Sequence, residues 1–333
     1  MVAREGVGAG CLRLRHSLHA LPSLLFGFAS GSCILVCSLA PRPCPSPLLP
    51  QAATVGGGTV YYVAHQDYAP YTHRRRMIDM RPADEAALGA REFDRLLASS
   101  RTLPPDAPAS RLVTRVARRI AAVVPPGPTP LEWRFVVVAA PGVVNAACYP
   151  GGKVVVFSGL LDALPPGAEG EAELAAVLAH EVGHAVARHS AEKLSFANVL
   201  LLGRMVLFFL IDAGTLVDML INVAASLPMS RAMEAEADYI GLHLMAAACY
   251  DPAAAARFFA RLDAMAGARG VAPPAFLSTH PSDKRRVAKI EGWLPDVSGA
   301  YETGCARVSR DGLRGLDGAL GRESGRGGGG WFR

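Results

Sequence analysis

The sequence is short of charge, short of acid at its N-terminal end, and short of organised cysteine. Charged residues make up 19% of the 333, against 51% hydrophobic, and the mean hydropathy is +0.24. This excludes a wholly disordered chain, which needs low hydrophobicity and high net charge, and it leaves ample material for a core. Residues 1–66 hold Arg4, Arg13, Arg15 and Arg42, no lysine and one acid, Glu5, so much of the net charge of +5 sits there. The remainder is nearly neutral, and no nucleic-acid partner is implied. Of seven cysteines, four (Cys11, Cys33, Cys37, Cys44) precede residue 45, and Cys148, Cys249 and Cys305 show no C-x-x-C spacing. That argues against a disulfide scaffold or a cysteine zinc ribbon. No repeat of about 20–50 residues is present, which excludes a solenoid.

What is present divides the chain. No formal charge lies between Arg15 and Arg42, and residues 21–40 are largely apolar. Residues 1–55 read as a targeting or anchoring segment, with Gly56-Gly57-Gly58 as a boundary. A linker and amphipathic helix over 56–108, a catalytic domain over 109–300 and a disordered Gly/Arg-rich tail over 313–333 complete the expected organisation. The patterning predicts helices at 82–98, 109–124, 170–194 and 251–266, and strands at 133–139 and 153–158.

The chemistry is concentrated in ELAAVLAHEVGHAVARHS, residues 173–190, which contains His180-Glu181-Val182-Gly183-His184. Residues four apart share a helix face, so both imidazoles can meet one ion. Zinc accepts neutral imidazole nitrogen, and Glu181 stands beside the first ligand, placed to take a proton from water. A third ligand is needed. His189 does not fit the H-E-x-x-H-x-x-G-x-x-H spacing, since Ala187 and Ser190 occupy the glycine and histidine positions. It is expected at the surface of the same helix. Glu234 and Asp238, four apart, face one way. Glu234 suits ligation, Asp238 suits a hydrogen bond to the outer nitrogen of a ligand histidine, and Glu236 points elsewhere.

The string Ser230-Arg231-x-x-Glu234-x-Glu236-Ala237-Asp238 after His180-Glu181-x-x-His184 resembles the HtpX and CAAX-prenyl-protease superfamily of zinc metallopeptidases. Three further stretches share the likeness: Asn145-Ala146 with Pro150-Gly151-Gly152 and the strand to Leu160; Ser278-Thr279-His280-Pro281-Ser282-Asp283 with Arg286-Val287; and Pro70-Tyr71-Thr72-x-Arg74-Arg75. The last resembles the mitochondrial Oma-type, or overlapping-activity, subgroup. The likeness covers roughly 68–295. It implies an α+β, mostly α, zincin-type fold with an active-site helix and a small β-sheet, and one zinc ion per chain held by His180, His184 and Glu234. It implies catalysis by Glu181, with His280 on the oxyanion. Asn145 and an edge strand at Val154, Val155 and Val156 are expected to meet the substrate, the strand by β-augmentation, and Arg286 is expected to meet the substrate or to brace the metal-site carboxylates.

The same resemblance implies membrane-protein substrates and quality control at the mitochondrial inner membrane. A bacterial envelope or plastid peptidase, a chaperone-like member with structural zinc, and homo-oligomerisation stay open. Residues 195–230 carry only Arg204, Asp212 and Asp218 as charges, yet no uncharged run there reaches the roughly 20 residues of a spanning helix. A helical hairpin that dips into the bilayer or covers the cleft is the expectation, with a buried core pair as the alternative.

Overall fold

The structure, a computed structural model, describes residues 48–127, 130–210, 215–267, 274–280 and 285–323, with no side chains described over 48–55, 202–228 and 306–323. Two compact units divide at Gly58/Thr59. Of residues 1–58, only the start of α1 (Leu48–Ala64) is described, and this helix includes the three glycines at the expected boundary. The predicted apolar targeting run at 21–40 lies outside the described residues.

In the second unit, a short antiparallel ribbon of β1 (Gln66–Tyr68) and β2 (Arg75–Met77) precedes α2 (Pro82–Ser99) and α3 (Pro108–Ala121). Each helix opens on a proline in its first turn, where the missing N–H has no intrahelical partner in any case. The main sheet has the order β3-β5-β4, from β3 (Arg134–Val138), β4 (Ala146–Tyr149) and β5 (Lys153–Phe157). β3 runs parallel and β4 antiparallel to β5. The turn from β4 to β5 needs Gly151 and Gly152, whose φ angles of 82° and 87° are costly for residues with a Cβ.

β5 is therefore the central strand, with Val154, Val155 and Val156 all 0% exposed. The expected substrate-binding edge at 154–156 is corrected accordingly: both sides of β5 are taken by neighbours. A strand buried on both faces and an edge strand give the same apolar run in sequence.

After α4 (Ser158–Asp162), the predicted helix 170–194 is two helices, α5 (Gly167–Val186) and α6 (His189–Leu210). The chain turns between them at Arg188, which adopts a left-handed φ of 52°. α7 (Thr215–Ala247) follows and includes Pro228, six residues before Glu234. α8 (Ala253–Gly267), α9 (Ala275–Thr279) and α10 (Arg286–Glu323) complete the order. α10 runs on through residues 313–323, part of the tail expected to be disordered. The tail from 324 lies outside the described residues.

α5 is the core helix. Leu174, Val177 and Leu178 are fully buried among α3, α7, α8 and the sheet. A bridge from Cys249 to Cys305 ties the end of α7 to α10, while Cys148 is free. Among the described residues this is one staple between distant positions, and spacing could not reveal it.

Among the described residues no helix is long and apolar enough to cross a membrane. Residues 195–230 belong to α6 and α7, on either side of 211–214.

Candidate active site

α5 and α7 cross at close range, and the crossing assembles the site. A Cβ on Gly183 would stand 2.8 Å from the backbone oxygen of Ala237, so the helices reach this separation only with glycine inside the H-E-x-x-H turn. His180 and His184 on α5 then face Glu234 on α7. The Nε2 atoms of His180 and His184 are 3.1 Å apart. Glu234 places Oε2 at 3.4 Å from His180 Nε2 and Oε1 at 3.5 Å from His184 Nε2. Ligand atoms on a tetrahedral ion at about 2.0–2.1 Å lie about 3.3–3.4 Å from one another, so these edges fit a zinc-sized cation. Glu234 Oε1 is buried without a hydrogen-bond partner, as an oxygen aimed at an ion would be.

His280, at the C-cap of α9, comes to the same group. Its Nδ1 is 3.2 Å from His180 Nε2 and 3.0 Å from Glu234 Oε2, and its Nε2 is 3.2 Å from Glu181 Oε1. One atom from each of His180, His184, Glu234 and His280 lies within 4.8 Å of the others. His280 thus stands at the fourth corner of the ligand group. Pro281, Ser282 and Asp283, which follow it, lie outside the described residues.

Glu181 is held from the sheet. Its Oε2 accepts the backbone N–H of Cys148 at 3.1 Å, leaving buried Oε1 facing the site beside His280 Nε2. This contact also identifies the open edge. Phe157 N–H bonds Asn145 O at 3.1 Å, so by antiparallel alternation Ala147 and Tyr149 pair with β5. Ala146 and Cys148 turn their backbone groups the other way. The edge beside the site is β4, one strand removed from the expected one. Asn145 heads that edge, and its Oδ1 accepts the N–H of Ala146.

Behind the site the carboxylates are braced. His180 Nδ1 is 2.8 Å from Asp238 Oδ1, and Arg286 donates to both oxygens of Asp238 at 2.8 Å. Arg286 is 4% exposed, with its guanidinium 3.6 Å over the Phe259 ring. Of the two roles expected for Arg286, substrate contact is corrected and the brace agrees with the geometry: its fork is turned inward onto Asp238.

Burial pushes the His180 pKa down, but the Asp238 and Glu234 carboxylates outweigh it and raise it to about 9. His184 is pushed well below its usual value, chiefly by burial. Burial would raise Glu234, but the surrounding histidines hold it far below the usual carboxylate range. For Asp238 burial acts upward, and Arg286 and His180 reverse it.

His189 is the main surprise. Expected at the surface, it is 1% exposed, because the turn at Arg188 folds it back beneath α5. Its Nδ1 is 2.7 Å from His184 Nδ1 and its Nε2 is 3.0 Å from Glu236 Oε2. Glu236 faces away from the ligand group, as its helix angle required. Arg74 donates to it at 3.1 and 2.6 Å, and Thr72 Oγ1 donates to its other oxygen. Only the P-Y-T-x-R segment hinted at these residues in the sequence.

Two histidines one turn apart, closed by a glutamate from a second helix with a carboxylate base beside them, define a metalloendopeptidase, a hydrolase of peptide bonds. Residues 107–294 match peptidase family M48, and the chain belongs to that family. It is 44% identical over 258 residues to the mitochondrial metalloendopeptidase OMA1 of Schizosaccharomyces pombe, covering 75% of this chain and 73% of the relative. With the protein of the same name from Saccharomyces cerevisiae it shares 33% over 264 residues, 75% of each chain. A putative beta-barrel assembly-enhancing protease of Vibrio cholerae is 32% identical over 155 residues, covering 43% of this chain and 31% of that protein.

Proposed function

We propose that this is a zinc endopeptidase of the mitochondrial inner membrane that cleaves membrane proteins in quality control. The observation that carries the zinc reading is the set of 3.1–3.5 Å edges among His180, His184 and Glu234, with one buried oxygen of Glu234 unpartnered. The compartment rests on the names of the relatives, and the membrane role on the basic, acid-poor N-terminal segment and the apolar 195–230 stretch.

His180, His184 and Glu234 would hold the ion, which when bound would supply Lewis acidity toward the scissile carbonyl and toward water. Substrate lies extended along the open edge of β4, where Ala146 and Cys148 offer their backbone carbonyls for β-augmentation and Asn145 marks one end. Glu181, fixed through Oε2 by the Cys148 amide, uses Oε1 to take the proton of the attacking water and returns it to the leaving amine. Asp238 holds the Nδ1 proton of His180, and Arg286 holds Asp238. His280, within 3.2 Å of Glu181 Oε1, is placed to steady the developing oxyanion.

Metal analysis of the purified chain is expected to give one zinc per molecule, with chelator-sensitive cleavage of an unfolded protein. Fractionation with mapping of the mature N-terminus is expected to place it in the inner membrane. A chain without zinc, or cleavage indifferent to chelation, overturns the catalytic reading.

A further inference from the structure

We propose that His189, backed by Glu236, Thr72 and Arg74, is a positioning residue for the metal ligand His184. This rests on reading His180, His184 and Glu234 as the ligands.

Each ligand histidine presents Nε2 to the group, so its Nδ1 must carry the proton and needs an acceptor. For His180 that acceptor is Asp238. For His184 it is Nδ1 of His189, at 2.7 Å. His189 can accept there only as the tautomer protonated on Nε2, and that proton points at Glu236 Oε2, 3.0 Å away. The direction of every bond is thereby fixed: His184 donates to His189, and His189 donates to Glu236. Glu236 accepts from Arg74 and Thr72 as well, so both of its oxygens are held.

The far end is anchored outside the ligand helices. Arg74 donates to both oxygens of Glu192 at 2.7 Å as well as to Glu236. His189, Glu192 and Glu236 have the spacing of a metal site, but the Arg74 guanidinium already stands between the two carboxylates, so the cluster is an anchor. Thr72 and Arg74 lie between β1 and β2, in a segment where Tyr71 and His73 take φ angles of 65° and 53°. Arg76 reinforces the arrangement by donating to the backbone oxygen of Ala187, at the turn that folds His189 under α5. The N-terminal ribbon thus sets the orientation of a ligand that lies over a hundred residues later in the chain.

The test compares full-length wild type with His189→Met and His189→Gln. Glutamine restores one acceptor and one donor, and methionine of similar size restores neither. Zinc affinity is read by competition with a chromophoric chelator, and ligand orientation by the visible spectrum of the cobalt-substituted protein. The methionine variant is expected to bind zinc about 10–100-fold more weakly with an altered cobalt spectrum, and glutamine to recover to within about threefold of wild type. Unchanged affinity in the methionine variant, or equal loss in both, overturns the proposal. If the methionine variant fails to fold, Thr72→Val removes one anchor of Glu236. It is expected to weaken zinc about threefold, and wild-type affinity there overturns the proposal. Wild type that binds no zinc instead overturns the ligand reading beneath it.

Discussion

Replacing Arg286 by methionine separates a brace from a substrate contact. The guanidinium is 4% exposed, makes two 2.8 Å bonds to Asp238 and covers the face of Phe259. Methionine keeps the aliphatic stem and leaves a buried carboxylate facing only His180. Removing one partner of a buried ion pair costs about 3–5 kcal/mol. For a unit of this size each kcal/mol moves Tm by about 2–4 °C, so the expected drop is about 6–20 °C. A substrate-binding arginine would behave in the opposite way, with KM rising and Tm holding. The assay is thermal unfolding of zinc-loaded wild type and R286M, beside KM for one peptide. A Tm within about 2 °C of wild type together with a raised KM would refute the brace.

Four other outcomes follow from the same geometry. Glu181→Gln is expected to lower kcat by about 10²–10⁴ while zinc content stays at one per chain, measured by turnover and metal analysis. The metal-free protein holds a proton on His180 below about pH 9, so zinc must displace it: affinity should fall about tenfold per unit as pH drops from 8 to 7 and level off above about 9 in a chelator titration. Gly183→Ala drives a methyl against Ala237 O at 2.8 Å; the strain of about 1–3 kcal/mol is partly offset by about 1 kcal/mol of helix propensity, so weaker zinc binding with a small change in Tm is expected. Reducing the Cys249–Cys305 bridge opens a loop with a sequence separation of 56 and is expected to cost about 4 kcal/mol, read as the difference in unfolding free energy with and without reductant.

The parts of this protein that repeat at short range were legible in the sequence. The helices at 82–98, 109–124 and 251–266 and both strands stand within a few residues of their expected places. The pair His180 and His184 shares a face because the 3.6-residue period dictates it, and Glu234, expected as the third ligand from its place four residues before Asp238, stands 3.4–3.5 Å from both. Sequence patterning failed where partners come from far away. Val154–Val156 could not be told from an edge, because a strand's neighbours are not written in its own residues. His189 was misplaced because nothing local announced a left-handed arginine one residue earlier. Arg286 and the Cys249–Cys305 pair owe their contacts to the packing of α10 against α7 and α8, at separations that no motif spans.

α7 holds one further consequence. It is 33 residues long, about 50 Å at 1.5 Å per residue, and it carries the third ligand toward its C-terminal end. Pro228 has no N–H to offer the carbonyl four residues earlier, so the helical ladder lacks one bond there. Beyond it, Glu234, Glu236 and Asp238 stand on the same stretch of helix, packed against α5. Any slide of α7 along α5 would therefore carry the ligand and both supporting carboxylates together.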